Sequence, residues 1–209
     1  MVKRVEKIGD TKLVTNVTKQ KKWSNNIILS ESIKTSKGTL PLEDRVVYHG
    51  YFFNGNVKEV SMADGTSIVY IWGYNEEYPI AKIENATILQ VESAITTLPL
   101  VYDSLEKIQA QSNSDNDRTI DVIDANGAVI SKVGKEGNLR EALRYLRDAM
   151  PYAMFTTYTY DPLIGVTSVT DYRGYTVYYE YDDFNRLKLV KDAFGKILSQ
   201  NDYHYKGHQ

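Results

Sequence analysis

The chain has 209 residues, 42% hydrophobic and 25% charged, with a formal net charge of −2. These values fit one globular domain, or one domain with an insertion, and leave no electrostatic footprint for nucleic acid. With no cysteine, disulfides and thiolate metal sites are excluded, while seventeen tyrosines against five phenylalanines suit half-buried strands whose hydroxyls reach water.

The opening, Met1-Val-Lys-Arg-Val-Glu-Lys7, has no apolar signal-peptide core, and no run reaches the ~18 apolar residues a membrane-spanning helix needs. An export signal would therefore lie upstream, and the chain reads as the C-terminal piece, or a truncated copy, of a longer polypeptide. Residues 8–30 read as strands. Leu13, Thr15 and Val17 alternate with Val14, Asn16 and Thr18, and Ile27-Ile28-Leu29 is a second apolar run. Lys3, Arg4, Lys7, Lys12, Lys19, Lys21 and Lys22 read as a solvated face with edge protection in preference to a polyanion patch. Thr35–Gly38 and Pro41 mark a loop. Strands are predicted at Arg45–Phe53, Val57–Met62, Ser67–Tyr74 and Pro79–Glu84, with hairpin signals at Asn54-Gly55 and Asp64-Gly65.

At residue 85 the period changes. Asn85 is predicted to cap a helix that begins at Ala86 and carries Ile88, Val91 and Ile95 on one stripe. A second helix is predicted over Tyr102–Gln111, with Leu105 and Ile108 inward. Thr119–Ile123 and Ala128–Val133 read as a hairpin around Asp124-Ala-Asn126-Gly127. Asn138-Leu-Arg-Glu141 has capping-box spacing, and Leu139, Leu143, Leu146 and Met150 follow at helical intervals until Pro151. Residues 85–150 are thus expected to be a mainly helical insertion between β segments 1–84 and 151–209.

The last segment contains three related blocks: Tyr158-Thr-Tyr160-Asp161, Tyr179-Glu-Tyr181-Asp182 and Tyr203-His-Tyr205-Lys206. The first two are 21 residues apart, as are Val169 and Val190, Asp171 and Asp192, and Gly174 and Gly195. Such a period predicts stacked strand–turn–strand units in an antiparallel meander. Tyr-x-Tyr spacing puts both rings on one face, and strands stacked in register would set successive pairs side by side.

The run Tyr-x-Tyr-Asp182-x-x-Asn185-Arg186-Leu187, followed by Asp192-x-x-Gly195, resembles the YD repeat of RHS (rearrangement hotspot) proteins. The likeness is specific over the last 55 or so residues. It extends more weakly to Tyr51–Ile83 through Gly55, Asp64-Gly65 and Tyr70-Ile-Trp72-Gly-Tyr74. Trp72–Asn75 with Pro79–Thr87 is also similar to the C-terminal region of large YD-repeat surface proteins of Bacteroidetes. The resemblance implies a β-sheet spiral or shell in which Tyr158, Tyr160, Asp161, Gly174, Tyr179, Tyr181, Asp182, Arg186, Leu187, Gly195, Tyr203 and Tyr205 are structural. It also implies a cell-surface or secreted setting.

Catalytic and metal motifs are absent. A calcium loop with Gly127 at its sixth position would put Val122 and Val133 at positions one and twelve, so the EF-hand fails; Asp115, Asp117 and Asp121 leave a weaker calcium option. His49, His204 and His208 lack a zincin frame. Arg140, Arg144 and Arg147 share a helix face, read as solvated in preference to an anion site. Asn16-Val-Thr18 and Asn85-Ala-Thr87 match a glycosylation sequon that short chance also produces. There is no phosphate loop, nucleophile elbow or Asp-Pro-x-Gly self-cleavage ending. No cofactor and no metal is therefore expected, and the carboxylates of an enzyme cannot be assembled. The reading is a mainly β, non-catalytic scaffold or adhesive shell. Its partners are the other repeats of a parent chain, or copies of itself through sheet edges. The alternative is a carbohydrate-binding module in which Trp72, Tyr74 and Tyr78 stack on sugar; buried rings would favour scaffold and exposed rings the sugar site.

Overall fold

The computed structural model describes residues 1–8, 10–24, 26–113, 122–123, 126, 129–131 and 134–203. The chain is mainly antiparallel β. Twelve strands form one sheet in chain order: β1 Val2–Ile8, β2 Thr11–Lys22, β3 Ile28–Lys37, β4 Glu43–Tyr51, β5 Val57–Met62, β6 Ser67–Gly73, β7 Tyr78–Glu84, β10 Met154–Asp161, β11 Gly165–Thr170, β12 Thr176–Tyr181, β13 Leu187–Asp192 and β14 Ile197–Gln200. A separate two-stranded sheet pairs β8 Val122–Ile123 with β9 Val129–Ser131. The helices are α1 Ile88–Ile95, α2 Leu105–Ala110 and α3 Gly134–Ala149. Two compact units divide the chain: Met1–Ile71 with Ile83–Ser93, and Trp72–Lys82 with Ala94–Gln209. The division falls inside the β6–β7 hairpin.

Strand order places β7 beside β10, so the sheet continues on the far side of the intervening segment. That segment is not mainly helical, contrary to its sequence pattern. Helices of 8, 6 and 16 residues occupy less than half of residues 85–150. Turns, bends and the β8–β9 pair interrupt the apolar stripes before they extend.

Among the described residues, one turn recurs at six hairpins, beginning at Trp23, Phe52, Met62, Asp171, Asp182 and Asp192. In each, the first carbonyl accepts the N–H of the fourth residue at 2.9–3.0 Å, and the first N–H donates to the fifth carbonyl. The fourth residue is left-handed, with φ between 59° and 92°, and is Gly everywhere except Asn26 and Asn185. This is the three-residue hairpin, a type I turn closed by an αL residue, where Gly and then Asn are least strained. The acceptor that braces it differs. Asp171, Asp182 and Asp192 occupy the first position, and each Oδ1 takes the N–H groups of the third and fifth residues. In the turns at Phe52 and Met62, Asn54 and Asp64 occupy the third position and accept the fifth N–H.

The helix starts differ from their sequence signals. Asn85 has φ 63°, outside the extended conformation of an N-cap. Thr87 caps α1 instead: its Oγ1 accepts the Gln90 N–H at 3.4 Å, and the Gln90 carboxamide oxygen accepts the Thr87 N–H at 2.9 Å. The pair is a capping box. Helix α3 starts at Gly134, so Asn138 and Glu141 lie within it. Leu139, Leu143 and Leu146 of α3, and Met150 just beyond its end, are fully buried together with Phe155 of β10. Burying each such side chain contributes on the order of 2 kcal/mol.

Candidate functional site

The ring cluster singled out in the sequence is mostly internal. Tyr74 is 4% exposed, and its hydroxyl accepts the Tyr160 N–H at 2.8 Å. Tyr78 stacks on Tyr160 with centroids 4.9 Å apart, and Tyr74 meets both rings edge-on at 6.0 and 5.5 Å. The Tyr160 hydroxyl donates to the Pro79 carbonyl at 3.0 Å. Burial pushes the phenols of Tyr74 and Tyr160 well up from the usual tyrosine range. Trp72 is half-buried, and its carbonyl accepts from Gln109 at 2.7 Å.

The turn holding these rings is unusual. Tyr74, Asn75 and Glu76 are all left-handed, with φ of 52°, 57° and 66°. L-residues take that conformation singly, at a cost of ~1–2 kcal/mol each. The end of α2 compensates: Ser112 Oγ accepts the Tyr74 N–H at 2.7 Å, and Asn113 Oδ1 accepts the Asn75 N–H at 3.1 Å.

The tyrosine pairs do not stand side by side. Strand β11 separates β10 from β12, so Tyr158 faces Val169 across the ladder and Tyr179 faces Val190. Period-two alternation still sets each pair on one face. On β10, Phe155, Thr157, Thr159 and Asp161 are buried while Tyr158 and Tyr160 are half-buried. Tyr181 lies over Gly165, where an added Cβ would come 2.3 Å from the phenol oxygen, and its hydroxyl donates to the Val166 carbonyl at 2.9 Å. Arg186 pairs with Asp182, Nε to Oδ2 at 2.8 Å, and its guanidinium lies 4.1 Å over the Tyr203 ring. Tyr203 in turn donates to the Leu187 carbonyl at 2.9 Å. Gly174 and Gly195 close their turns with φ of 88° and 79°. Tyr205, His204, His208, Asp115, Asp117, Asp121, Asp124 and Gly127 lie outside the described residues.

The arginine face of α3 is not solvated along its length, because α3 lies against β10 and β11 rather than outside them. Arg144 is exposed and reaches Asp148 at 3.2 Å. Arg140 is buried, pairs with the equally buried Glu136 at 3.4 Å, and lies 5.4 Å over the Tyr178 ring. The Glu136 carboxylate also accepts from Thr167 at 2.9 Å, and Thr167, Thr159 and Ser168 share hydroxyl bonds of 2.8 and 2.6 Å. The Thr167 hydroxyl and the arginine satisfy a carboxylate that would otherwise be costly to bury.

A cleft in the N-terminal unit escaped the sequence reading. Trp23, Ser24, His49, Gly50, Tyr51 and Phe53 line a volume of about 380 Å³. Trp23 stands at the β2–β3 turn, while Tyr51 and Phe53 stand where β4 enters its hairpin, so 28 residues separate the first two rings. Tyr51 meets Trp23 edge-on at 5.0 Å and stacks on Tyr48 at 5.5 Å. The Tyr51 hydroxyl donates to the Ser30 carbonyl at 2.9 Å, and burial together with Tyr48 pushes it up to about 12. Lys21 Nζ lies 4.0 Å over the Trp23 ring. The imidazole of His49 shares a 2.8 Å hydrogen bond with Ser61 Oγ. Phe53 is 84% exposed.

Among the described residues no group of His, Cys, Asp and Glu is placed to hold a metal ion. Among them, too, no helix is long and apolar enough to cross a membrane, which leaves strands unaddressed. No protein-family model matches the chain, and no curated protein matches it significantly.

Proposed function

We propose that the chain is a non-catalytic scaffold segment, a YD/RHS-type run of hairpins within a larger surface or secreted bacterial protein. The observation that carries this reading is the use of Asp171, Asp182 and Asp192. Each lends a carboxylate oxygen to two N–H groups of its own turn. A carboxylate so engaged fixes a hairpin; it is not held ready for a substrate. The three turns start 11 and 10 residues apart, one strand and one turn each. The hydroxyls of Tyr160, Tyr181 and Tyr203 donate to backbone carbonyls, which supports a structural role before a ligand-facing one. In this reading the partners are neighbouring repeats of a parent chain, or a second copy at the outer strands.

A sugar platform at Trp72, Tyr74 and Tyr78 is the weaker reading, because Tyr74 is 4% exposed and engaged with Tyr160. The scaffold reading is tested by protease shaving of intact cells that produce the full-length polypeptide. Loss of the chain's epitope from unlysed cells, or its recovery in the medium, is expected. Protection until lysis rejects a surface or secreted scaffold.

A further inference from the structure

We infer that the lysine-bearing face of β1–β3 is a docking surface for an extended acidic polypeptide. It is distinct from the Trp72 cluster and from the N-terminal cleft, and it is independent of the scaffold reading. Residues 1–37 hold nine Lys and Arg against three Asp and Glu, a net +6 in a chain of net −2. The register gathers much of that charge on one side. Lys3 and Lys34 each stand opposite Val17, and directly opposed residues share a face. Alternation adds Lys7 on β1, and Lys19 and Lys21 on β2, to the same face. Lys19 pairs with Glu31 at 2.8 Å and Lys34 with Asp44 at 3.1 Å. Lys3, Lys7 and Lys21 are exposed, and among the described residues no carboxylate lies within ion-pair distance of them. Edge protection accounts for Lys3 and Lys7 on the outermost strand, but β2 is paired on both sides, so it gives no reason for Lys21.

Three features select the partner. First, these positions form a row. Lys7 and Lys3 are four residues apart on β1, Lys21 is four residues beyond Val17 on β2, and both steps run the same way because the strands are antiparallel. The row is about 26 Å long, the reach of about eight extended residues, and its ~7 Å strand period matches acidic side chains at alternate positions of such a chain. Second, a carboxylate is favoured on this face. The hydrogen bond from Lys19, with Lys21 and Lys34 nearby, holds the Glu31 carboxyl below the usual carboxylate range. Third, between Lys7 and Lys21 the face carries Val5, Thr15, Val17, Ser32 and Ser36. These aliphatic and hydroxyl side chains offer no ring on which the bases of a nucleic acid could stack.

The test titrates the whole chain into a dye-labelled oligoglutamate at low salt and follows fluorescence anisotropy, with a thymidine oligonucleotide of equal charge alongside. Saturable binding of oligoglutamate that fades as salt rises is expected. Lys3→Gln with Lys7→Gln should weaken it on the order of tenfold, with the melting temperature unchanged. Lys21→Gln should weaken it as well, which frees the test from any effect on β1 pairing. Lys188→Gln with Lys196→Gln removes equal charge from exposed positions elsewhere and should leave binding intact. Absence of salt-sensitive binding, equal losses in the two double variants, no loss with Lys21→Gln, or tighter binding of the oligonucleotide overturns the proposal.

Discussion

The Tyr74 hydroxyl accepts the backbone N–H of Tyr160, 86 residues further along the chain, at 2.8 Å. One phenol thereby ties the β6–β7 turn to β10. Tyr74→Phe keeps the ring contacts with Tyr78 and Tyr160 and removes only the acceptor. The buried N–H is then unsatisfied, at ~1–3 kcal/mol. Urea unfolding should show a lower midpoint with an unchanged slope. An unmoved midpoint would mean that water replaces the hydroxyl.

Glu136 and Arg140 should behave as an interdependent pair. Removing one charge from a buried ion pair costs ~3–5 kcal/mol, whereas replacing both by apolar residues of similar size is often neutral. Glu136→Gln is therefore expected to be strongly destabilising, and Glu136→Leu with Arg140→Met less so. Equal losses in both variants would refute the interdependence.

Gly165 and Tyr181 should couple in the same way. A methyl at Gly165 would meet the Tyr181 phenol at 2.3 Å, and that phenol bonds Val166. Gly165→Ala must displace the ring, and Tyr181→Ala removes it. The double variant should lose less than the sum of the singles, by ~0.5–3 kcal/mol in a thermodynamic cycle. Additive losses would show that the ring moves aside freely.

Acid should weaken the Asp182 turn. The Arg186 hydrogen bond, reinforced by backbone N–H groups of Arg186 and Phe184, holds the Asp182 carboxyl below the usual carboxylate range. The unfolded chain thus keeps its proton to higher pH than the folded one. The stabilisation is fully present above the unfolded value of ~3.9 and is lost as pH falls through the lower folded value. Wild type and Asp182→Asn should differ in melting temperature at about pH 6 and converge towards about pH 3. A constant gap would place the effect of the substitution elsewhere.

Local chemistry made much of the sheet readable. Strand β5 has the predicted bounds, and Asn54-Gly55, Asp64-Gly65 and the Asp-x-x-Gly turns close the hairpins they signal. The apolar stripe from Leu139 to Met150 is buried as its spacing requires. Strand β1 was not legible, because Val2, Val5 and Ile8 recur every three residues and lack strand alternation. Its pairing with β2 makes Val2–Ile8 the outermost strand at the N-terminal end of the sheet. Thr87 and Gln90 carried a capping-box signal that the adjacent Asn85 obscured. The rings of the N-terminal cleft come from separate turns, and no local period joins Trp23 to Phe53. The sequence pattern likewise could not show that α3 covers the Thr159 face, which buries Arg140 and Glu136.

Because sheet order follows chain order, almost every strand finds its partner across a turn of a few residues. Hairpins of that kind form in about 1–10 μs. The exception is β7 with β10, whose ends, Glu84 and Met154, are separated by the whole intervening segment. Closing that loop carries the largest chain-entropy term in the sheet, and contacts of this separation slow folding. Refolding should therefore be divided in time. Hairpin amides would gain exchange protection early, and β7 and β10 would gain it together and last. The burial of Tyr74 against Tyr160 would mark the moment at which the second unit closes.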